Sequence, residues 1–176
     1  MRTFVVIALL VVCAANGYPQ QFSSQTKARE IAAAFTKNKH VVKEKYGVRM
    51  EKYKDVRSEP AVKSNISDYT GAYEVLDLSF VINVQVGNDG RIQANGSERS
   101  RTFTLQNAKL EGALLTATKV YQDGARERFE GAFLNRTDRN SPTDPGVTIF
   151  GLGVIPAAPF EANGLTYDKL FYQLKP

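Results

Sequence analysis

The chain has 176 residues, a net charge of +5, one cysteine, one histidine and no tryptophan. A single histidine and a single cysteine exclude the clustered ligands of a transition-metal site. No stretch approaches the roughly 20 apolar residues that a membrane-spanning helix requires.

Residues 1–17 read as a secretory signal peptide: Arg2 forms the basic start, Phe4 to Val12 the apolar stretch, and Ala15 and Gly17 suit the cleaving peptidase. Cleavage after Gly17 removes Cys13 and leaves a cysteine-free chain in an oxidising compartment, without disulfides or thiol chemistry. The expected location is extracellular.

Residues 18–60 read as a basic helical segment. Between Lys27 and Glu59 lie ten Lys/Arg and five Asp/Glu, so this stretch carries the positive charge while the remainder is close to neutral. Ser24 or Thr26 suits a helix start, Ala28, Ile31, Ala32, Phe35, Val42 and Tyr46 fall near helical spacing, and Gly47 suits a stop; Val48 to Tyr53 alternates, as in a short strand or a further piece of helix. His40 lies in this segment and reads as a surface residue. No Gly-x-Ser-x-Gly turn accompanies it. The tyrosines, Tyr46 and Tyr53, are expected to pack the helix onto the rest.

Residues 61–176 read as one antiparallel β domain. Phe80, Ile82, Val84 and Val86 alternate with polar residues, and Asn88-Asp89-Gly90 signals a hairpin. Phe103 and Leu105 alternate with threonines. Leu110 to Tyr121 reads as one long strand before a second hairpin signal, Gln122-Asp123-Gly124. Arg128 to Leu134 alternates, and Asn135–Gly146, with Pro142 and Pro145, reads as the long loop. Val147 to Ile155 is apolar on both faces, as in a strand covered on both sides, with Gly151-Leu152-Gly153 marking a bend or bulge. Leu165 to Leu174 closes the chain. Seven or eight short strands of this kind predict a mainly β fold: an antiparallel up-and-down barrel, or a sandwich, with one N-terminal α-helix across an end or against the wall.

Catalytic patterns are sparse. Glu74, Glu111, Glu127 and Glu130 are the carboxylates of the strand zone, but their spacing gives no reason for any two to meet as a glycosidase pair. Asp138, Asn140 and Asp144 offer oxygen ligands without the spacing of a calcium loop. Three Asn-x-Ser/Thr sequons, at Asn65, Asn95 and Asn135, are candidate glycan sites near turns or strand ends.

Tyr69-Thr70-Gly71-Ala72-Tyr73-Glu74 resembles the opening strand of calycin-type, lipocalin-like barrels, in particular the small barrel domains of some secreted β-lactamase-related proteins that begin Tyr-x-Gly-x-Tyr. Lipocalins carry Gly-x-Trp near this strand and commonly have disulfides; here Tyr73 stands in place of the tryptophan. The resemblance implies a barrel that encloses an apolar ligand.

These readings favour a secreted, non-enzymatic structural or interaction protein docking to an anionic extracellular matrix or glycan through Lys37, Lys39, Lys43 and Lys45. The alternative is a carrier of a small apolar ligand held among Phe80, Phe103, Phe129, Phe133 and Phe150. No cofactor, metal, nucleic-acid partner or transmembrane span is expected, and the sequence sets no oligomeric state.

Overall fold

The computed structural model describes residues 18–176. The signal segment expected over residues 1–17, with Cys13, lies outside these residues.

Eight antiparallel strands close into an up-and-down barrel: β3 (Gly71–Val75), β4 (Phe80–Val86), β5 (Ile92–Glu98), β6 (Arg101–Glu111), β7 (Leu114–Tyr121), β8 (Arg126–Arg139), β9 (Val147–Val154) and β12 (Leu170–Leu174). The last strand, β12, pairs with β9 on one side and β3 on the other, so the circle has no free edge. Period two puts one residue set inside. Phe80, Ile82, Val84 and Val86 are buried while Asn83 and Gln85 are exposed, as the alternation predicts.

The two ends of the barrel differ. At one end a 3-10 turn, Ile66–Tyr69, crosses the opening and inserts Tyr69, whose ring centroid lies 4.5 Å from that of Phe133. The Tyr69 hydroxyl accepts from the Lys63 backbone N–H (2.8 Å) and lies 2.9 Å from the Ala61 carbonyl oxygen, which receives its proton. Tyr73, fully buried on β3, donates to the Tyr69 carbonyl at 2.6 Å. Phe133 and Phe150 stack beside them with centroids 5.9 Å apart. Every polar atom named here has a partner, so the plug avoids the desolvation cost of orphaned groups.

The helix α1 (Tyr18–Ala34) lies against the outer wall, over β8, the strand β2 (Val48–Pro60) and neighbouring strands. Ala28, Ile31, Ala32 and Phe35 are buried, the spacing of one helical face. Burying each large side chain there contributes roughly 1.5–3 kcal/mol. Gly153 leaves room for Phe35 in this contact, and Gly151 leaves room for β12 beside it. A Cβ on Gly153 would sit 2.6 Å from Leu134 Cδ1 and 2.8 Å from the Phe35 ring, and one on Gly151 would meet the Tyr172 carbonyl oxygen at 2.4 Å. The pairing of β8 with β9 runs through both glycines without a shift, so they mark close approach rather than the expected bend or bulge. The only register shift in the described ladders lies between Gln106 and Lys109 of β6.

The helix ends at Ala34, which corrects the helical reading of the residues up to Gly47, and of the two readings of Val48 to Tyr53 the strand is the one found. Residues 37–60 form a hairpin, β1 (Lys37–Lys45) and β2 (Val48–Pro60). Its turn is Tyr46-Gly47, with φ of 53° and 74°, the left-handed pair of a type I′ turn. The glycine expected to stop a helix thus reverses a strand pair. Tyr46 is 91% exposed at the tip and Val42 is exposed on β1, so neither packs the helix onto the barrel. Tyr53 instead meets His40 across the ribbon, with ring centroids 5.8 Å apart. Helical spacing misled here because charged and β-branched residues alternate just as well at period two.

Two further boundaries move. Leu110–Tyr121 is not one strand: β6 ends at Glu111, the chain turns at Gly112 (φ 62°), and β7 begins at Leu114. The loop expected over 135–146 is shorter, because β8 continues to Arg139, held between β2 and β9. Leu165–Leu174 divides into β11 (Leu165–Tyr167), which pairs with β10 (Phe160–Ala162), and β12.

Candidate binding site at the barrel mouth

The end of the barrel opposite the Tyr69 plug holds a cavity of about 380 Å3. Its apolar wall includes Phe80, Phe129, Val154 and Leu170, and its polar wall includes Glu98, Lys119, Tyr121, Glu127 and Tyr172. Residues 155–160 and the small hairpin β10–β11 lie over the opening. Phe160 fixes this cover: its ring stacks on Phe80 (5.9 Å) and on Tyr167 (5.5 Å), with the Arg99 guanidinium 3.9 Å from its centroid. Asn163 Nδ2 donates to the Asp77 carbonyl at 3.2 Å, tying the tip of the cover to the β3–β4 connection.

The polar wall comes from strand ends. Lys119 and Tyr121 follow Leu115 and Ala117 on the inner face of β7, and Glu98 follows Ala94 and Gly96 on that of β5. Lys119 is only 8% exposed and its ammonium lies 2.5 Å from Glu98 Oε1. The same ammonium stands over the Phe103 ring, 4.3 Å from the centroid, a cation–π contact. The Tyr121 hydroxyl donates to Glu98 and lies 3.2 Å from Glu127 Oε2. Burial first, then hydrogen bonding to Glu98 and its charge, push the Tyr121 hydroxyl far above its ordinary value near 10. Glu98 and Glu127 thus meet at one hydroxyl, although their sequence spacing gave no sign of it.

Tyr172 completes the wall. It is 1% exposed, lines the cavity from β12, and its hydroxyl has no hydrogen-bond partner among the described residues. Burial, followed by the charge of Glu98, raises its pKa well above the tyrosine range. It therefore remains a neutral O–H donor throughout physiological pH.

The sequence-predicted aromatic residues divide between the two ends. Phe80 and Phe129 line the cavity, Phe103 stands behind Lys119, and Phe133 and Phe150 belong to the packed end beneath Tyr69. Glu98, Lys119, Tyr121 and Tyr172 were not among the candidates. Lys119 and Tyr121 become legible once the chain is turned at Gly112, because an inner-face count from Leu115 then reaches a lysine.

Other candidate residues sit elsewhere. Asp138 lies on β8, where Arg136 grips it at 2.9 and 3.0 Å and Lys54 approaches at 3.4 Å. Asp144 accepts from the backbone N–H groups of Asn140 and Gly146, which hold its carboxyl below the usual carboxylate range. These oxygens stabilise the loop, and no group of three or more potential metal ligands occurs among the described residues. Asn65 is exposed before the 3-10 turn, but Asn95 and Asn135 lie within β5 and β8 rather than at strand ends. Lys37, Lys39 and Lys43 are exposed along β1, with Lys45 following at the strand end.

Among the described residues no helix is long and apolar enough to cross a membrane. The chain matches no protein-family model, no curated protein and no solved structure.

Proposed function

We propose that this is an exported binding protein whose barrel mouth takes a small molecule with a flat apolar body and an oxygen acceptor at one end. The observation that carries the reading is the Tyr172 hydroxyl, which has no hydrogen-bond partner among the described residues and belongs to a side chain lining a cavity with aromatic walls. An apolar body has Phe80, Phe129 and Leu170 to lie against. A carbonyl, carboxylate or hydroxyl oxygen has Tyr172 as a donor, with the Lys119 ammonium contributing charge nearby. The cavity volume falls in the lower part of the usual range for ligand sites. The calycin-type resemblance of Tyr69–Glu74 supports the same reading, with one change: the ligand is amphipathic rather than wholly apolar. The apolar stretch in residues 1–17 supports export.

An anilinonaphthalene sulfonate dye, which has an aromatic body and an anionic oxygen head, tests the site. Its fluorescence is expected to rise on binding to the native protein. Val154→Phe, which fills the cavity from β9, is expected to abolish the rise. Tyr172→Phe is expected to weaken binding by about fivefold to tenfold, the worth of one hydrogen bond, with the thermal midpoint held. Dye binding that is absent, or indifferent to both substitutions, overturns the proposal.

A further inference from the structure

The β1–β2 hairpin runs past the point where β2 joins the barrel. Asp55–Pro60 pair with β8, whereas Val48–Lys54 pair only with β1. The free part is a two-stranded ribbon, and β1 spans about 30 Å.

Period two sorts its charges. Lys37, Lys39, Val41 and Lys43 share one face of β1, and the residues opposite them include Lys54 (facing Lys39) and Lys52 (facing Val41). Among the described side chains this face therefore gathers five lysines: Lys37, Lys39, Lys43, Lys52 and Lys54. A helix through residues 37–54 would have scattered them around its axis. The other face mixes signs and types: His40, Val42 and Glu44 on β1, with Arg49, Tyr53 and Asp55 on β2.

The lysine face lacks counter-charge. Lys54 reaches Asp138 and Asn140. Lys37, Lys39, Lys43 and Lys52 are exposed and make no ion pair among the described residues. Lys39 directly opposite Lys54 is a like-charge pair, which costs a sheet stability. Charged residues do protect free strand edges. Edge protection works with either sign on either face and gives no reason to segregate lysines on one.

We infer that this face docks a linear acidic polysaccharide. A polyanion lying along the ribbon meets successive ammonium groups and relieves their mutual repulsion. All five cations are lysines, point charges suited to diffuse attraction, while Arg49, the residue type that grips phosphates in bidentate fashion, lies on the other face. A bilayer is the poorer fit. Val41 is the one apolar residue described on the exposed stretch of this face and is half-buried, whereas the exposed Val42 and Tyr46 lie on the other face and at the tip.

The test uses the full chain on immobilised dextran sulfate and polygalacturonate, with phosphatidylglycerol–phosphatidylcholine vesicles in parallel. Binding to both polysaccharides is expected at low salt and is expected to fade as salt screens it. The triple change Lys39→Gln, Lys43→Gln, Lys52→Gln is expected to weaken it by about tenfold or more. A second triple, Arg91→Gln, Lys109→Gln, Arg126→Gln, removes the same charge elsewhere and is expected to leave binding within about twofold, as surface charges far from a contact do. Circular dichroism checks that both variants retain the wild-type spectrum. Equal losses in the two variants overturn the assignment, because net charge alone would then explain retention. Vesicle binding tighter than polysaccharide binding overturns it in favour of a lipid surface.

Discussion

Lys119 shows how a charge is held inside a barrel. Its ammonium has Glu98 as a counter-ion and the faces of Phe103 and Tyr121 as further neighbours. Removing the lysine alone strands Glu98, which is itself largely buried and then keeps only the Tyr121 hydroxyl as donor. Lys119→Met is therefore expected to lower stability by roughly 3 kcal/mol, the cost of an uncompensated buried charge. Adding Glu98→Gln is expected to recover most of that loss, because the amide carries no charge. Urea midpoints of the two variants and the wild type measure it, and equal losses in single and double variants would reject the coupling. Reading residues 110–121 as one strand hides Lys119 as an interior residue. The hydrophobic residues around it were legible, but the face each one occupies depends on where the turn lies.

At the scale of elements, the helix and the barrel are joined through β9. Its outward positions at Gly151 and Gly153 carry no side chain, so Phe35 and the Tyr172 strand come close. Gly153→Ala puts a methyl group against the Phe35 ring and Leu134, and is expected to cost roughly 1–3 kcal/mol. Pairing it with Phe35→Leu is expected to return part of this, since a smaller, more mobile side chain vacates the contact. Thermal unfolding of the single and double variants reads the effect, and additive losses would show that the clash lies elsewhere. The end of the helix is also held from several sides. Lys169 donates to the Ala34 carbonyl at 2.7 Å, placing a cation where the helix dipole favours one, and Ser58 of β2 bonds both Phe35 and Thr36. Sequence alone revealed most barrel strands, because their alternation and their Asn-Asp-Gly and Asp-Gly turns are local signals. It misread the first strand of the ribbon and left the second between strand and helix, because Lys, Val and Tyr in residues 37–54 satisfy both a strand period and a loose helical one. Only the Tyr46-Gly47 turn and the pairing of β2 with β8, which is non-local, decide between them.

For the whole molecule, tyrosines stand at both ends of the barrel: Tyr69 and Tyr73 under the plug, Tyr121 and Tyr172 at the mouth. Burial raises the pKa of all four above the ordinary value near 10. The sign follows directly. Below pH 10 these groups are neutral in both states, so their contribution to stability is fully present. Above pH 10 the unfolded chain gives up its protons while the folded chain keeps them, and stability falls as pH rises toward the folded values. Alkaline unfolding is expected from about pH 10 upward. The tyrosinate absorbance of these four residues is expected to appear together with the loss of near-ultraviolet circular dichroism. Their ionisation well before that loss would contradict the burial argument.

The joint at β12 has another consequence. This strand fills the gap between β9 and β3, and it is tethered through residues 155–169, whose only ladder is the β10–β11 hairpin. A chain that releases β12 keeps a seven-strand sheet with two open edges and a free segment of matching sequence. Two such chains can exchange the segment, each rebuilding the other's barrel with native contacts. Brief warming at high concentration is expected to yield a dimer that persists on size-exclusion chromatography after dilution. Because β12 carries Tyr172, each cavity of that dimer would be built from two chains. Mixing Tyr172→Phe chains with Val154→Phe chains would then restore a dye-binding site that neither variant possesses intact.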